Sequence, residues 1–241
     1  MRASVVLISG GAKRIGAALC RHFHQGGYRV VLHYRHSRQA AQDLAQELNQ
    51  KRADSCHCIQ ANLNELSEIK QLAQQAIERW QGIDLLINNA SSFYPTPIED
   101  CDEQSWNDLV GSNMKAPLFL SQALAESLAQ NNGAIINFAD IHADKPMRGH
   151  IIYNMAKAAN VMLTKTLALE LAPNVRVNGI APGAILWPDG EAENSEILAK
   201  VPLQKLGNEQ AICQSAWYLA EQAPYSTGQI LAIDGGRSLN M

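Results

Sequence analysis

Short apolar runs alternate with longer amphipathic segments along the whole chain, and no other feature of the sequence restricts the fold as strongly. Seven runs rich in valine, isoleucine and leucine have the length of buried strands: SVVLIS, YRVVLHY, CHCIQA, IDLLINNA, AIINFA, VRVNGIA and QILAID. Between them lie helical segments such as RIGAALCRHFHQGG, SRQAAQDLAQELNQ and EIKQLAQQAIERW. Apolar strands separated by helices are typical of a parallel sheet with helices on both faces. The pattern therefore predicts a doubly wound α/β fold.

The composition favours a single domain. Of the 241 residues, 46% are hydrophobic, which is enough for one large core, and no linker, repeat or low-complexity segment divides the chain. We therefore expect residues 1–241 to form one domain. The formal net charge of −3 provides no basic surface for nucleic acid.

The cysteines and the first residues indicate the compartment. The five cysteines form no CxxC pair and no Cys/His cluster with zinc spacing, so we expect free thiols in a reducing environment and no bound metal. His22 and His24 point in different directions on a predicted helix, which argues against a metal pair. The start, MRASVVLISGG, has too short an apolar run for a signal peptide or a membrane span. We expect a soluble cytoplasmic protein.

A glycine-rich segment, SGGAKRIG (residues 9–16), follows the first predicted strand and leads into a helix. Glycines at this position let the backbone approach a pyrophosphate, and the helix start directs its N–H groups at the same point. The alternative is a tight turn that needs glycine for its geometry alone. The position at the first strand-to-helix turn favours a nucleotide site.

The end of the second strand distinguishes between the two nicotinamide nucleotides. An NAD site usually has an acidic residue there, which binds the ribose hydroxyls. This strand ends VVLHYRHS, with no acid between Tyr28 and Ala41. Arg35, His36 and Ser37 offer a cation and hydrogen-bond donors suited to a 2′-phosphate, although a solvated basic loop has the same composition. The segment predicts NADP(H), with NADPH as the cofactor of a reductase.

Tyr153 and Lys157 lie four residues apart in a predicted helix and therefore on one face of it. A free tyrosine titrates near ~10, too high for acid–base work at neutral pH. An ammonium about 4 Å away is worth roughly 4 kcal/mol at an effective dielectric near 20, which lowers the pKa by about 3 units. The spacing is typical of an acid–base pair, although it also arises by chance in many helices.

Several motifs occur together in a fixed order: SGGAKRIG, NNAS (residues 88–91), Asn113, the Tyr153–Lys157 pair, Pro182-Gly183 and TGQILAIDGG. In this the whole chain resembles the short-chain dehydrogenase/reductase family. The resemblance implies a Rossmann-type sheet, Lys157 on the nicotinamide ribose, Tyr153 as proton donor and Asn113 completing a proton relay. It also implies a homotetramer. The cofactor contacts expected on this basis are Gly10, Ile15, Tyr34, Asn62, Asn89, Ala90, Ser91, Tyr153, Lys157, Pro182 and Gly183.

Two positions depart from the common family pattern. Arg14 stands where the family usually has glycine, and Asp140 replaces the usual serine thirteen residues before the tyrosine. With NNASSFYPTP (residues 88–97) and HYRHS, these changes resemble the pteridine reductases of the family. That resemblance implies that Arg14 and Ser91 bind cofactor phosphate and pterin, and that Phe93 stacks the pterin ring against the nicotinamide. From the residues alone, Phe93 is more typical of core packing.

Asp140 indicates the kind of bond that is reduced. A ketone reductase must donate hydrogen bonds to an oxygen that gains negative charge, which a serine hydroxyl does and an ionised carboxylate does not. Reduction of a ring C=N bond places hydride on carbon and a proton on nitrogen. A carboxylate can stabilise the protonated imine, accept from ring N–H groups, or supply a proton through Tyr153 or a water. The alternative is a solvated or helix-capping aspartate.

The sequence thus predicts NADPH-dependent reduction of dihydropterins to tetrahydropterins, with oxidised pterins and dihydrofolate as further substrates. Asp140 and Tyr153 belong to the predicted substrate site. The rival interpretations are a carbonyl reductase, such as a 3-oxoacyl-thioester reductase, and an NADPH-binding sensor without catalysis. We expect residues 183–208 to form a substrate lid, in which Trp187 contacts either the substrate's side chain or the loop itself. Asp84 and Asp234 are expected to be turn or cap residues.

Overall fold

Seven strands form the central sheet of the computed structural model, which describes residues 2–186 and 195–241. Their spatial order is β3-β2-β1-β4-β5-β6-β7, and each strand is parallel to its neighbours. This confirms the predicted doubly wound α/β fold. The strands are β1 (Val5–Ile8), β2 (Arg29–Tyr34), β3 (Cys56–Gln60), β4 (Leu85–Asn88), β5 (Ala134–Phe138), β6 (Arg176–Pro182) and β7 (Ile230–Ile233).

Helices cover both faces of the sheet and complete one domain. Val6 and Ile8 of β1 belong to one apolar cluster, while Val5 and Leu7 belong to another on the opposite face. Successive side chains of a strand point to opposite faces, so a strand covered on both sides must be apolar throughout. The helices are α1 (Arg14–Gln25), α2 (Arg38–Lys51), α3 (Leu66–Trp80), α4 (Glu103–Val110), α5 (Ala116–Gln130), α6 (Ile151–Glu170), α7 (Ser195–Ala199) and α8 (Glu209–Trp217).

Two local features define the ends of α4: a capping box at its start and a π-helical turn between it and α5. At the start of α4, the Asp102 carboxylate accepts from the Ser105 amide at 2.7 Å in a capping box. Between α4 and α5, Gly111–Lys115 forms one turn of π-helix. Such turns are frequent at functional sites, since they redirect the side chains of a helix. Asn113 lies in this turn.

The order of the strands determines where a ligand binds. β1 lies between β2 and β4, so the chain leaves β1 on one side and returns on the other. In sheets of this kind, ligands bind beyond the carboxyl ends of the strands at such a reversal. The predicted turn at residues 9–16 and the segment at residues 88–91 follow β1 and β4 at this point.

Several smaller predictions concern residues outside this edge. The carboxylate of Asp234 accepts from the amides of Gly236 and Ser238, as expected of a turn residue. Asp84 instead makes long-range contacts, since its carboxylate accepts from the Val5 amide and pairs with Arg2 at 2.7 Å. All five cysteines are free thiols. In the described ranges no helix is both long and apolar enough to cross a membrane. Residues 187–194 of the predicted lid, which include Trp187, lie outside the described residues.

Candidate active site

The glycine-rich turn after β1 is packed against the end of β4. Gly10 has a φ of +63°, and a Cβ atom there would lie 3.0 Å from the Cα of Ala90. A Cβ on Gly16 would lie 2.1 Å from the carbonyl oxygen of Gly10. The Asn89 amide Nδ2 donates to the carbonyls of Ser9 and Gly10, at 3.0 and 3.2 Å. Only glycine fits at both positions, and Asn89, which follows β4, supplies two of the hydrogen bonds that hold the turn.

This turn borders a cavity of about 360 Å³. Its basic side chains are Lys13, Arg14 and Arg35, and in the described part of the chain no acidic side chain lines it. Most of the cofactor contacts expected from the sequence lie here. The lining residues are Gly10, Lys13, Arg14, Ile15, Gly16, His33, Arg35, Asn62, Leu63, Asn64, Asn89, Ala90, Ser91, Ser92 and Ser112.

Seven expected cofactor residues do not line this cavity, and two of them, Tyr153 and Lys157, lie on α6. Tyr34 is buried in the apolar cluster on one face of the sheet, and His36 and Ser37 lie in the turn that leads into α2. Pro182 ends β6 and Gly183 follows it, and a Cβ on Gly183 would lie 2.6 Å from the Cβ of Asp234. Gly183 therefore has a steric role in its contact with the segment after β7.

Arg14 has a left-handed backbone, with a φ of +49°. For a residue with a Cβ atom this conformation costs roughly 1–2 kcal/mol relative to the right-handed region. The cost explains why glycine is the residue expected at this position. A strained arginine here indicates that its side chain has a role that offsets the strain.

Arg35 has an acidic partner that the sequence analysis did not identify. Its Nη1 atom lies 3.0 Å from Oδ1 of Asp108, at the end of α4. The same carboxylate oxygen accepts from Nδ2 of Asn64 at 3.2 Å. Burial acts to raise the pKa of Asp108, but hydrogen bonds from Ser92, Arg35 and Asn64 outweigh it and lower the pKa. The predicted phosphate-binding cation is thus held by a charged carboxylate.

Tyr153 and Asp140 are in direct contact. The tyrosine hydroxyl donates to Oδ2 of Asp140 at 2.7 Å, and Oδ1 accepts from the amide of His142 at 2.8 Å. Asp140 follows β5 and is the N-cap residue of the 3-10 turn Ile141–Ala143. One carboxylate oxygen therefore caps a turn, as the alternative interpretation expected, and the other binds the tyrosine; the role of Asp140 in the reaction stays a prediction.

The predicted lowering of the tyrosine pKa is wrong in this structure. Burial, the negative charge of Asp140 and the hydrogen bond to it raise the pKa of Tyr153 well above its usual value, and a hydrogen bond with Ser91 opposes them. The Lys157 ammonium lies 5.6 Å from the centre of the tyrosine ring and donates to the Phe138 carbonyl at 2.7 Å. Tyr153 is therefore a protonated phenol at neutral pH, and in this environment it is a weaker acid than a free tyrosine.

Lys157 is itself perturbed by its surroundings. Burial lowers its pKa to about 8, against the opposing effect of the Asp140 carboxylate. A lysine with a pKa near neutrality exchanges protons more readily than an exposed one. Lys157 is therefore closer to its titration point at neutral pH than an exposed lysine.

Asn113 connects several parts of the site. Its Oδ1 accepts from the hydroxyl of Ser91 at 2.7 Å, and its Nδ2 donates to the carbonyls of Ser92 and Leu109 at 2.9 and 3.0 Å. Its backbone carbonyl accepts from Nδ2 of Asn160 at 2.8 Å. Asn160 is buried on α6, and the sequence analysis missed it, although an asparagine among the apolar residues of a helix is a usable signal. The π-helical turn is thereby tied to the helix of Tyr153.

Phe93 is not part of the core. Its side chain is 55% exposed, its ring centre lies 4.9 Å from that of Tyr153 at an interplanar angle of 74°, and it stacks on His150 at 5.0 Å and 13°. An exposed aromatic ring beside the tyrosine can contact a flat ligand. His150 was not singled out from the sequence.

Comparison with known proteins decides the family. The family model described as short chain dehydrogenase matches residues 4–196. The chain belongs to the short-chain dehydrogenase family. Enzymes of this family use a nicotinamide cofactor, so the protein is an oxidoreductase.

Individual relatives differ in the reactions that their names state. Pteridine reductase 1 of Leishmania tarentolae is 34% identical over 280 aligned positions, covering 98% of this chain and 97% of that protein. The 3-oxoacyl-(acyl-carrier-protein) reductase FabG of Staphylococcus aureus is 30% identical over 237 positions, covering 95% and 96%. An uncharacterized oxidoreductase, YmfI, of Bacillus subtilis is 32% identical, covering 95% and 97%. These identities are too similar to choose between pterin and thioester substrates.

The cavity beside the glycine turn fits the family's cofactor. Gly10 and Gly16 leave no room for a Cβ atom, the start of α1 presents backbone N–H groups, and Lys13, Arg14 and Arg35 supply positive charge. Ser91 lines this cavity and also interacts with Tyr153, so it links the cofactor cavity to the acid–base group.

Replacing Arg14 should separate stability from cofactor binding. Arg14→Gly removes a left-handed cost of about 1–2 kcal/mol and adds roughly 0.5–1 kcal/mol of unfolded-state entropy, so the free energy of unfolding should stay constant or rise. If the guanidinium binds cofactor phosphate, cofactor affinity should fall at least about tenfold. Urea denaturation and fluorescence titration with NADPH measure the two effects. Arg14→Lys, which retains both the charge and the Cβ atom, is the matched control, and a parallel loss of stability and affinity in Arg14→Gly would contradict the assignment.

Proposed function

We propose that this chain is an NADPH-dependent pteridine reductase, which reduces 7,8-dihydropterins to tetrahydropterins and also accepts oxidised pterins and dihydrofolate. Tetrahydrobiopterin and tetrahydrofolate are products of this type. The observation that carries the proposal is the 2.7 Å hydrogen bond from the Tyr153 hydroxyl to Asp140. It supports the proposal because a carboxylate lies beside the Tyr153 hydroxyl, where a carbonyl reductase needs a hydrogen-bond donor.

A bound nicotinamide supplies hydride from C4 of its ring. The Tyr153 hydroxyl gives the proton that the ring nitrogen of a C=N bond needs when its carbon receives hydride. Asp140 accepts hydrogen bonds from ring N–H groups of the pterin and favours the protonated nitrogen. Lys157, with a pKa of about 8, returns a proton to the tyrosine near neutral pH. Asn113 completes the relay by holding the segment after β4 against α6.

The pterin ring occupies the space beside Phe93 in this proposal. The exposed face of Phe93 packs on the flat ring, as offset aromatic stacking favours. Ser91 and Arg14 both line the cofactor cavity, so they contact cofactor phosphate and the pterin at its edge. The described parts of the predicted lid, residues 183–186 and 195–208, contribute to selection of the substrate's tail in this proposal, and Ile185 and Val201 are buried there.

A 3-oxoacyl-thioester reductase is the second candidate, and the 30% identity to the Staphylococcus aureus enzyme supports it. The Asp140 carboxylate argues against it, because a carboxylate repels the oxyanion that develops on a ketone. A cofactor-binding sensor without catalysis is disfavoured by the arrangement of Tyr153, Lys157 and Asn113. Measurable hydride transfer excludes that class.

We also propose a homotetramer, and the exposed apolar side chains of α6 support self-association through that helix. Met155, Met162 and Leu169 recur every seven residues along this helix and are all exposed. Apolar side chains in one helical stripe are typical of a helix that packs against another chain.

We also propose a cytoplasmic location, which the five free thiols support.

Substituting Asp140 tests the proposal directly. Asp140→Ser should retain NADPH binding but lose dihydropterin reduction, with a loss of about 10²–10⁴-fold in kcat, the usual share of a general acid–base group. Asp140→Asn, which keeps the shape but not the charge, should show the same loss. Of the two variants, only Asp140→Ser introduces a hydroxyl. A gain of activity towards an activated ketone is therefore expected in that variant and not in Asp140→Asn. Dihydropterin turnover that survives in both variants would show that the carboxylate has no part in the reaction.

Arg35 and Asp108 should determine the preference for NADPH over NADH. Arg35→Met should bring the two kcat/KM values together, because the cation for the 2′-phosphate is lost. Asp108→Asn frees Arg35 from its 3.0 Å partner and should raise the NADPH/NADH ratio. The increase should reach up to about fivefold, since a partly exposed ion pair is worth roughly 0–1 kcal/mol. An unchanged NADPH/NADH ratio of kcat/KM in Arg35→Met would show that Arg35 does not bind the 2′-phosphate. Equal kcat/KM values of the wild type with both cofactors would contradict the assignment of NADPH.

A further inference from the structure

His33 is a buried histidine at the cofactor end of the sheet to which nothing above assigns a role. It is the next-to-last residue of β2, its side chain is 2% exposed, and its ring borders the cofactor cavity. Nε2 lies 3.0 Å from the carbonyl oxygen of Ala61, and Nδ1 lies 3.1 Å from the backbone nitrogen of Gly10.

These two contacts fix the protonation of the ring. A carbonyl oxygen can only accept, so Nε2 carries a proton and donates it to Ala61. The Gly10 amide can only donate, so Nδ1 must present its lone pair. The ring therefore carries a single proton, on Nε2. Burial, opposed by the hydrogen bond to Ala61, lowers the pKa of His33 to about 4, which agrees with a neutral ring.

The ring and the backbone of His33 act on the same turn. Nδ1 of the imidazole accepts from the N–H of Gly10, and the backbone carbonyl of His33 accepts from the N–H of Gly11 at 2.8 Å. Nδ2 of Asn89, which follows β4, donates to the carbonyl of Gly10 at 3.2 Å. The Gly10 peptide is thus bound on both sides, by β2 through His33 and by β4 through Asn89.

The second contact of the ring extends this support to β3. Ala61 follows β3 directly, and the next residue, Asn62, lines the cofactor cavity. One imidazole therefore joins the turn after β1 to the segment after β3. These two segments border the same cavity, and a shift of either against the other would change its shape.

We propose that His33 is a positioning residue for the nicotinamide cofactor: its singly protonated ring holds the Gly10 amide and the Ala61 carbonyl at a fixed spacing, so that the turn after β1 is ready for the pyrophosphate. This role applies to NADPH and NADH alike and does not depend on a pterin substrate. It differs from simple core packing, because it requires an acceptor facing Gly10 in particular.

Three variants separate the two hydrogen bonds. His33→Asn places an amide oxygen near the position of Nδ1 and retains an acceptor for Gly10, but cannot reach Ala61. His33→Gln reaches the position of Nε2 and retains a donor for Ala61, but leaves the Gly10 amide without its acceptor. His33→Leu fills the space and makes neither bond. Asparagine and glutamine each lose one buried hydrogen bond, so their melting temperatures should fall by similar amounts.

The affinities for NADPH and NADH, measured by fluorescence titration, should not follow the melting temperatures. We expect His33→Asn to stay within about threefold of the wild type, while His33→Gln and His33→Leu lose about tenfold or more, the effect of one unmet buried donor. For all three, kcat at saturating cofactor should change less than the cofactor KM. Equal affinities in His33→Asn and His33→Gln, or affinities that track the melting temperature across all three variants, would show a structural histidine and overturn the proposal.

Discussion

The parallel sheet brings the carboxyl ends of β1, β4 and β5 to one edge, and every polar group of the site depends on this arrangement. The Gly10 turn can pack on Ala90 only because β1 and β4 are adjacent, and Asp140 reaches Tyr153 only because β5 ends beside them. The apolar side chains of the strands fix this edge by filling both faces of the sheet. Core packing and site geometry therefore have a common origin in strand order.

The electrostatics of the site follow from its burial. Tyr153 and Lys157 are both withdrawn from water, which disfavours the charged form of each and moves their pKa values in opposite directions. Asp140 strengthens the shift of the tyrosine and opposes that of the lysine. The result is a protonated phenol next to a carboxylate. In the proposed reaction the phenol gives its proton to a ring nitrogen, whereas the carboxylate is poorly suited to a nearby oxyanion. The proposed C=N substrate follows from this combination.

Periodicity predicted the strands because a buried parallel strand needs apolar residues at every position, and this pattern is local in the chain. The acidic partner of Arg35 could not be predicted from a local pattern. Asp108 lies 73 residues away in the chain, on a helix whose packing depends on the tertiary fold. The spacing of Tyr153 and Lys157 predicted their common helix face but not the direction of the ammonium, which binds the Phe138 carbonyl. His33 stands in the apolar run YRVVLHY, where no local pattern indicates a role, because its two partners lie in the segments after β1 and β3.

The most direct test of the proposed reaction compares two substrates on the unmodified enzyme. With NADPH at saturation, kcat/KM is measured for a 7,8-dihydropterin and for an acetoacetyl thioester by following oxidation of the cofactor. A carboxylate beside the proton donor should favour the pterin by at least about a hundredfold, the lower end of a general acid's contribution. Thioester turnover equal to or faster than pterin turnover would contradict the account, since Asp140 would then face an oxyanion without penalty.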